Sequence, residues 1–169
     1  MELQLRLAAA GDFDFLHRIK SEAKNIQWTG HASAPDRERL QAWFSQQLVS
    51  TTRVIFIGEC HGEPVGYAYA DTHPEAIETA VAVCERHEGR GYGRALVRLV
   101  AERCRRQHPD KPLHAWVLTD NFASIRIHEQ AGYRRTDQRK QQPLADGRSV
   151  EMVLYVIGVP AAGSEGLSA

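Results

Sequence analysis

Hydrophobic positions change period along the chain, and each change marks an element. Residues 2–7 (E-L-Q-L-R-L) alternate polar and apolar, the mark of a half-buried strand. Gly11 and Asp12 follow, and Asp12 is suited to cap a helix carrying Phe15, Leu16 and Ile19. Residues 25–31 (N-I-Q-W-T-G-H) keep no period and read as loop. Pro35 and Asp36 then open a second helix, with Leu40, Trp43, Phe44 and Leu48 at helical spacing. From residue 51 to 60 (T-T-R-V-I-F-I-G-E-C) the chain turns β-branched and apolar, His61-Gly62 makes a tight turn, and residues 64–70 (P-V-G-Y-A-Y-A) alternate again. Two such runs across a short glycine turn predict an antiparallel hairpin.

A third strand is expected over 77–84. Gly89 to Gly93 leads into a helix with Leu96, Leu99 and Val100 on one face, ended by Pro109 and Pro112. Residues 113–118 (L-H-A-W-V-L) form a short strand. Asp120 or Asn121 caps the next helix, which carries Ile125, Ile127 and His128 and stops at Gly132. Tyr133 starts an irregular strand, Asp146-Gly147 turns the chain, and S-V-E-M-V-L-Y-V-I is the last strand. The order β-α-α-β-β-β-α-β-α-β-β predicts an α+β protein with helices on the faces of a sheet. Residues 1–157 are expected to form a single domain. Residues 158–169, rich in glycine, serine and alanine, are expected to be a flexible tail.

Composition narrows the function. Lys plus Arg and Asp plus Glu number 21 each, so the basic excess of a general nucleic-acid binder is absent. The start lacks the apolar core of a signal peptide, and no apolar run is long enough to span a bilayer. Three scattered cysteines, Cys60, Cys84 and Cys104, form neither a disulfide framework nor a CxxC pair. A cytoplasmic protein without nucleic-acid or membrane partners is the expectation. The histidines show no metal-ligand spacing, so no metal is expected. Cys84 reads as a small buried hydrophobe rather than a nucleophile.

The chemistry concentrates in the run E-G-R-G-Y-G-R, residues 88–94. Its glycines permit a tight turn and close ligand approach. The first turn of the following helix leaves free N–H groups that suit phosphate, with Arg90 and Arg94 adding charge. No Gly-Lys-Ser or Gly-Lys-Thr occurs, which excludes a Walker loop. A dinucleotide fingerprint would follow the first strand of a βαβ unit, whereas these glycines follow an antiparallel meander. A flexible turn is the plain alternative. Strand 113–118 is expected to lie parallel to strand 77–84 through the helical crossover, and a ligand would enter where the two splay.

On these residues the chain resembles the GNAT family of acyl-CoA-dependent N-acyltransferases. Val83 to Gly93 (V-C-E-R-H-E-G-R-G-Y-G) follows the family's Arg-Gly-x-Gly-x-Gly/Ala pattern, with Glu88 where the family has arginine or glutamine. Asn121, Ser124, Gly132 and Tyr133 match its Asn-x-x-Ser/Ala…Gly-Phe pattern, with His128 in place of the usual tyrosine. The resemblance implies a GNAT-type mixed, mostly antiparallel sheet with central splayed parallel strands. It implies acetyl-CoA as co-substrate, with the loop Glu88, Gly89, Arg90, Gly91, Tyr92, Gly93 and Arg94 on the pyrophosphate. Val83 would lie along the pantetheine, and Asn121 and Ser124 near the cofactor arm. The carboxylate of Glu88 would repel pyrophosphate unless it points away or pairs with Arg86 or Arg90. The run S-I-R-I-H-E-Q-A-G-Y is similar to the phosphinothricin-type amino-acid acetyltransferases, a branch with a glutamate on the strand before the loop, here Glu78.

Acetyl transfer to an amine needs a neutral nucleophile, donors for the carbonyl oxygen and relief for the departing thiolate. Glu78 is the candidate base, against the plain alternative of a solvated glutamate. His128 is the candidate donor or acceptor near sulfur, against a structural histidine. Trp28, Tyr67, Tyr69 and Asp71 are candidates to line the acceptor pocket. The expected acceptor is a small-molecule primary amine such as an amino acid, with protein amines as an alternative. A binding or regulatory domain without turnover is the rival class, and pairing of edge strands into a homodimer is open.

Overall fold

Alternating burial organises the chain around one twisted sheet. The computed structural model describes residues 2–159. Strand β1 (Leu3–Leu7) is followed by a 3-10 turn at Ala10–Asp12 and by helices α1 (Phe13–Lys20), α2 (Ala23–Trp28) and α3 (Arg37–Gln47). The meander β2 (Arg53–Cys60), β3 (Glu63–Thr72) and β4 (Ile77–Val83) comes next, then a 3-10 turn at Glu85–His87 and helix α4 (Tyr92–Gln107). Strand β5 (Leu113–Leu118), helix α5 (Phe122–Gln130), and strands β6 (Arg134–Pro143) and β7 (Ser149–Ile157) complete the order. The tail expected over 158–169 lies, from residue 160 onward, outside the described residues.

The strand order is β1-β2-β3-β4-β5-β7-β6, and every pairing is antiparallel except β4 with β5. This is the mixed, mostly antiparallel α+β sheet expected. Both faces are covered, and single strands serve both. Ile55, Ile57, Tyr67 and Ala82 pack under α1 and α3 with Leu16, Ile19 and Phe44. Their chain neighbours Phe56 and Ala68 turn the other way, onto Val97, Val100 and Cys104 of α4 and onto Tyr133 and Tyr155. The β2–β3 turn has φ of 51° at His61 and 78° at Gly62, the two positive values of a type I′ hairpin. The irregularity expected after Tyr133 is a register shift between Arg135 and Arg139.

Two local expectations are corrected. The loop expected over 25–31 is helical as far as Trp28. No apolar stripe announces α2, because polar contacts hold it. Asn25 Nδ2 donates to Val83 O at 3.1 Å, and Lys24 N donates to Glu85 Oε1 at 2.7 Å. Asp12 precedes α1 but makes no side-chain cap. Arg6 grips its carboxylate at 2.6 and 2.7 Å and Ala9 N donates to it at 2.8 Å. Arg6 holds the Asp12 pKa below the usual carboxylate range.

Candidate active site

The glycine loop is an open amide cradle. Gly89 and Gly91 have φ of 71° and 83°, the left-handed region that penalises any residue with a Cβ. Gly91 is the N-cap of α4 without any side-chain cap, and the first helical amide to find an acceptor is that of Ala95, on Gly91 O at 3.1 Å. The backbone amides from Gly89 through Arg94 donate to nothing among the described residues. They meet the positive end of the α4 dipole, and Arg90 and Arg94 are exposed beside them. Gly93 lets the helix close on its neighbours: a Cβ there would stand 3.3 Å from Ile127 Cδ1. Glu88 does not oppose an anion in this cradle, because its carboxylate forms an ion pair with Lys24 of α2. Neither arginine expected to neutralise it does so, and Arg86 pairs with Glu63 at 2.6 Å.

Next to the cradle the sheet divides. Strands β4 and β5 pair only at Ile77 with Leu113 and at Glu78 with His114, then part. Ile77 N donates toward β5, to Pro112 O at 2.9 Å, and Cys84 N donates toward β3, to Val65 O at 2.9 Å. Strand alternation therefore turns the amides of Val81 and Val83 to the β5 side, where no strand meets them. A gap with free amides leads from the cradle into the sheet. Below it, Tyr133 and Thr79 share a hydroxyl hydrogen bond of 2.9 Å, and Thr79 donates to His114 O at 3.3 Å.

The α1/α3 face of the gap carries the other expected residues. Tyr67, Tyr69 and Asp71 of β3 pair in register with Ala82, Ala80 and Glu78 of β4, so all share one face. The Tyr67 and Tyr69 rings stack at 6.2 Å, and burial pushes the Tyr69 hydroxyl up to about 12. Asp71 is engaged by Arg53 of β2, which bonds both its oxygens. Glu78 is half-buried and has no hydrogen bond or ion pair among the described residues, which leaves it the available carboxylate. Trp28 is half-buried at the end of α2, on the helix that Asn25 ties to Val83. The tryptophan that reaches the cluster is Trp43 of α3, with Lys20 Nζ 5.7 Å and Arg53 Cζ 5.6 Å from its ring centroid. In the sequence Trp43 stands out only as a helix-face residue, and Lys20 and Arg53 do not stand out. Their only signal was a charge placed next to buried helix and strand positions.

Helix α5 supplies the third side. Asn121 is its cap and accepts from Ser124 N at 3.0 Å. His128 is 5% exposed, edge-on to Tyr133 with centroids 5.2 Å apart. Its Nδ1 lies 2.8 Å from Ser124 O, a carbonyl that can only accept, so the ring proton sits on Nδ1. Burial lowers the His128 pKa, against a smaller upward pull from that bond. The ring is a neutral imidazole with its donor already engaged. Cys60, Cys84 and Cys104 are free and buried, and burial pushes the Cys84 thiol up to about 11, far from a thiolate nucleophile. Among the described residues no cluster of three metal-ligating side chains occurs, and no helix is long and apolar enough to cross a membrane.

The cradle, the gap and the diverted Glu88 fit coenzyme A: amides for the diphosphate, and a slot with strand N–H groups for the pantetheine arm. Comparison with known proteins agrees. Residues 14–133 match the Acetyltransferase (GNAT) family. The chain is 27% identical to the L-methionine sulfoximine/L-methionine sulfone acetyltransferase of Pseudomonas paraeruginosa, covering 94% of this chain and 96% of that one. It is 30% identical to the L-2,4-diaminobutyric acid acetyltransferase of Streptomyces coelicolor over 70% of this chain and 74% of that one. The fold is shared with the spermidine N-acetyltransferase of Vibrio cholerae in complex with CoA and spermine, at TM-score 0.82 and 15% identity over 92% and 94% of the two chains. From its glycine cradle to its divided sheet, this chain belongs to the acetyltransferase (GNAT) family and is an acetyl-CoA-dependent N-acetyltransferase.

Proposed function

We propose that this enzyme acetylates the primary amine of a free amino acid or close analogue, by direct attack with both substrates bound. The observation that carries this reading is the lone carboxylate of Glu78 at the closed end of the β4–β5 gap, with the amide cradle at its open end. The acceptor class is supported by the curated relatives, two kinds of amino-acid acetyltransferase. The similarity of residues 124–133 to the phosphinothricin-type branch points the same way.

Acetyl-CoA, when bound, supplies a thioester carbonyl open to attack by an amine. The amides of Gly89 to Arg94 hold its diphosphate, helped by Arg90 and Arg94. Val83 borders the pantetheine, and Asn121 and Ser124 flank it from α5. One of the open amides on the β5 side of β4, at Val81 or Val83, would donate to the carbonyl oxygen and stabilise charge that develops there, leaving the other to the pantetheine arm. Glu78 removes the proton from the ammonium, directly or through one water, so that a neutral amine attacks. Tyr67, Tyr69 and Trp43 bound the acceptor pocket, Trp28 approaches it from α2, and Asp71 shapes it through Arg53. His128 enters as a neutral imidazole that orders α5 against Tyr133.

The test is release of free thiol from acetyl-CoA in the presence of L-methionine sulfone, L-2,4-diaminobutyrate, spermidine, an aminoglycoside and a peptide with a free α-amine. The expected result is the highest kcat/KM with the amino acids. Preference for spermidine, the aminoglycoside or the peptide would overturn the acceptor class. CoA binding without transfer to any amine would make the chain a binding domain.

A further inference from the structure

Lys20, the last residue of α1, puts a positive charge into the acceptor side of the site without a negative partner. Its Nζ lies 5.3 Å from the Tyr67 ring centroid and 5.7 Å from that of Trp43, and no hydrogen bond or ion pair reaches it among the described residues. The neighbouring cation is handled differently. Arg53 lies over Trp43 and Tyr69, at 5.6 and 4.8 Å, and Asp71 neutralises it with both oxygens. Ring faces compensate a buried ammonium only in part. Burial accordingly holds the Lys20 pKa below the lysine range, and the charge of Arg53 lowers it further. Two other titratable groups feel Lys20, and neither brings a negative charge: His31 is a base, and Tyr69 is a phenol that burial pushes up to about 12 and so keeps neutral.

Glu78 is the converse case, a carboxylate without a bonded cation. Tyr69 and Tyr67 pair with Ala80 and Ala82, so both lone charges stand over the same β3–β4 ribbon. Glu78 lies at the end where β4 still meets β5, and Lys20 lies over Tyr67, beside the parted section. The cleft thus offers one unmatched negative group to an amine and one unmatched positive group to something else.

We propose that Lys20 anchors the carboxylate of the acceptor and thereby selects amino acids over amines that carry only positive charge. This rests on the amino-acid reading above and adds to it the residue that makes the choice. A polyamine or amino sugar would set further positive charge against Lys20. An amino acid brings the missing anion, and the aromatic walls around Lys20 strengthen the pairing by excluding water.

The experiment compares the best amino-acid acceptor with its primary carboxamide, in the wild type and in Lys20→Met and Lys20→Arg. The carboxamide has the more easily deprotonated amine, so chemistry alone favours it. The wild type is expected to prefer the acid in kcat/KM, and Lys20→Met to reduce that acid-to-amide ratio by roughly tenfold to a hundredfold, mainly through KM for the acid. Lys20→Arg is expected to restore part of the ratio. A wild type that uses acid and amide equally overturns the Lys20 anchor and leaves the amino-acid reading standing, and this arm needs no variant to fold. A Lys20→Met protein that loses acid and amide in proportion makes Lys20 a packing residue and overturns the proposal. A wild type active on spermidine but on neither acid nor amide overturns both.

Discussion

In the proposed reaction Glu78 carries the heaviest chemical demand of any single residue, because Asp71 beside it is bound by Arg53. Glu78→Gln keeps the shape and removes the base, so kcat is expected to fall by roughly 10²- to 10⁴-fold. Calorimetric affinity for CoA should stay at the wild-type value, since the cradle lies at the other end of β4. A near-normal kcat would remove Glu78 from the reaction. His128 is expected to behave in another way. Its pKa is lowered from 6.5 by burial, so the ring is neutral at and above that pH. An imidazolium acid would make kcat decline as pH rises past the lowered value. A kcat that holds from pH 6.5 to about 8 is the expectation, with His128→Phe within roughly tenfold of wild type. Linkage gives a second readout. The unfolded chain takes up a proton at 6.5 that the folded ring resists, so the stability due to His128 is present above 6.5 and is lost as pH falls through the folded pKa. His31 shifts in the same direction. The difference between wild-type and His128→Phe melting curves, followed from neutral pH downward, therefore isolates the His128 share. The glycines were legible in the sequence because backbone geometry dictates them one residue at a time, whereas Glu78 was singled out by the family resemblance. Lys20 and Trp43 were not legible, because their meaning is a relation that exists only after α1 and α3 pack on β3.

Helix α2 joins the two halves of the site. Asn25 donates to the last carbonyl of β4 at 3.1 Å, Glu22 Oε2 accepts from Glu85 N at 2.9 Å, and Lys24 pairs with Glu88 at the lip of the cradle. Lys24→Met would release the Glu88 carboxylate beside the diphosphate. The Kd for CoA is expected to rise by roughly threefold to tenfold, with a larger effect at low salt, because the new repulsion acts across solvent. Glu88→Gln should bind CoA at least as well as wild type, and adding Lys24→Met to it should change little. Calorimetry on the four proteins closes the cycle. Equal losses for Lys24→Met with and without Glu88 would assign Lys24 to direct cofactor contact instead. The same helix marks the limit of periodicity as a guide. α1, α3 and α4 bury apolar faces and announce themselves at helical spacing, whereas α2 buries Asn25 and is held by hydrogen bonds to residues about sixty positions away. Strand period, the hairpin turn and the irregular strand after Tyr133 were all legible, since each is a local demand on residue type.

At the scale of the molecule, two glycines seat α4 on the sheet and so aim the cradle at the gap. Gly58 of β2 and Gly66 of β3 lie under Leu96, the fully buried residue just inside the cradle end of α4. A Cβ at Gly58 would stand 2.6 Å from Leu96 Cδ2, with its next backbone neighbour, Gly66 O, at 3.6 Å. A Cβ at Gly66 would meet Leu96 Cδ1 at 2.8 Å and would also overlap the carbonyl oxygen of Ala82, in the strand that borders the gap. The two substitutions therefore differ in what must yield. Gly58→Ala presses on a side chain, and Gly66→Ala presses on the backbone of β4. Each is expected to cost about 1–3 kcal/mol, a drop of a few degrees in Tm for a chain of this size. Leu96→Ala alone should cost about 2–5 kcal/mol through the cavity it leaves. Combined with Gly58→Ala it should cost less than the sum, because the new methyl fills part of that cavity and its clash is gone. Combined with Gly66→Ala the coupling should be smaller, because the Ala82 carbonyl still blocks the methyl. Thermal melts of the five variants measure both couplings, and CoA affinity measured alongside reports the position of the cradle. A displaced β4 moves the Val81 and Val83 amides, so Gly66→Ala should weaken CoA binding more than Gly58→Ala at equal loss of Tm. Equal couplings and equal affinities would mean that the helix, not the strand, absorbs both methyls, and that the gap is held open independently of the seat beneath α4.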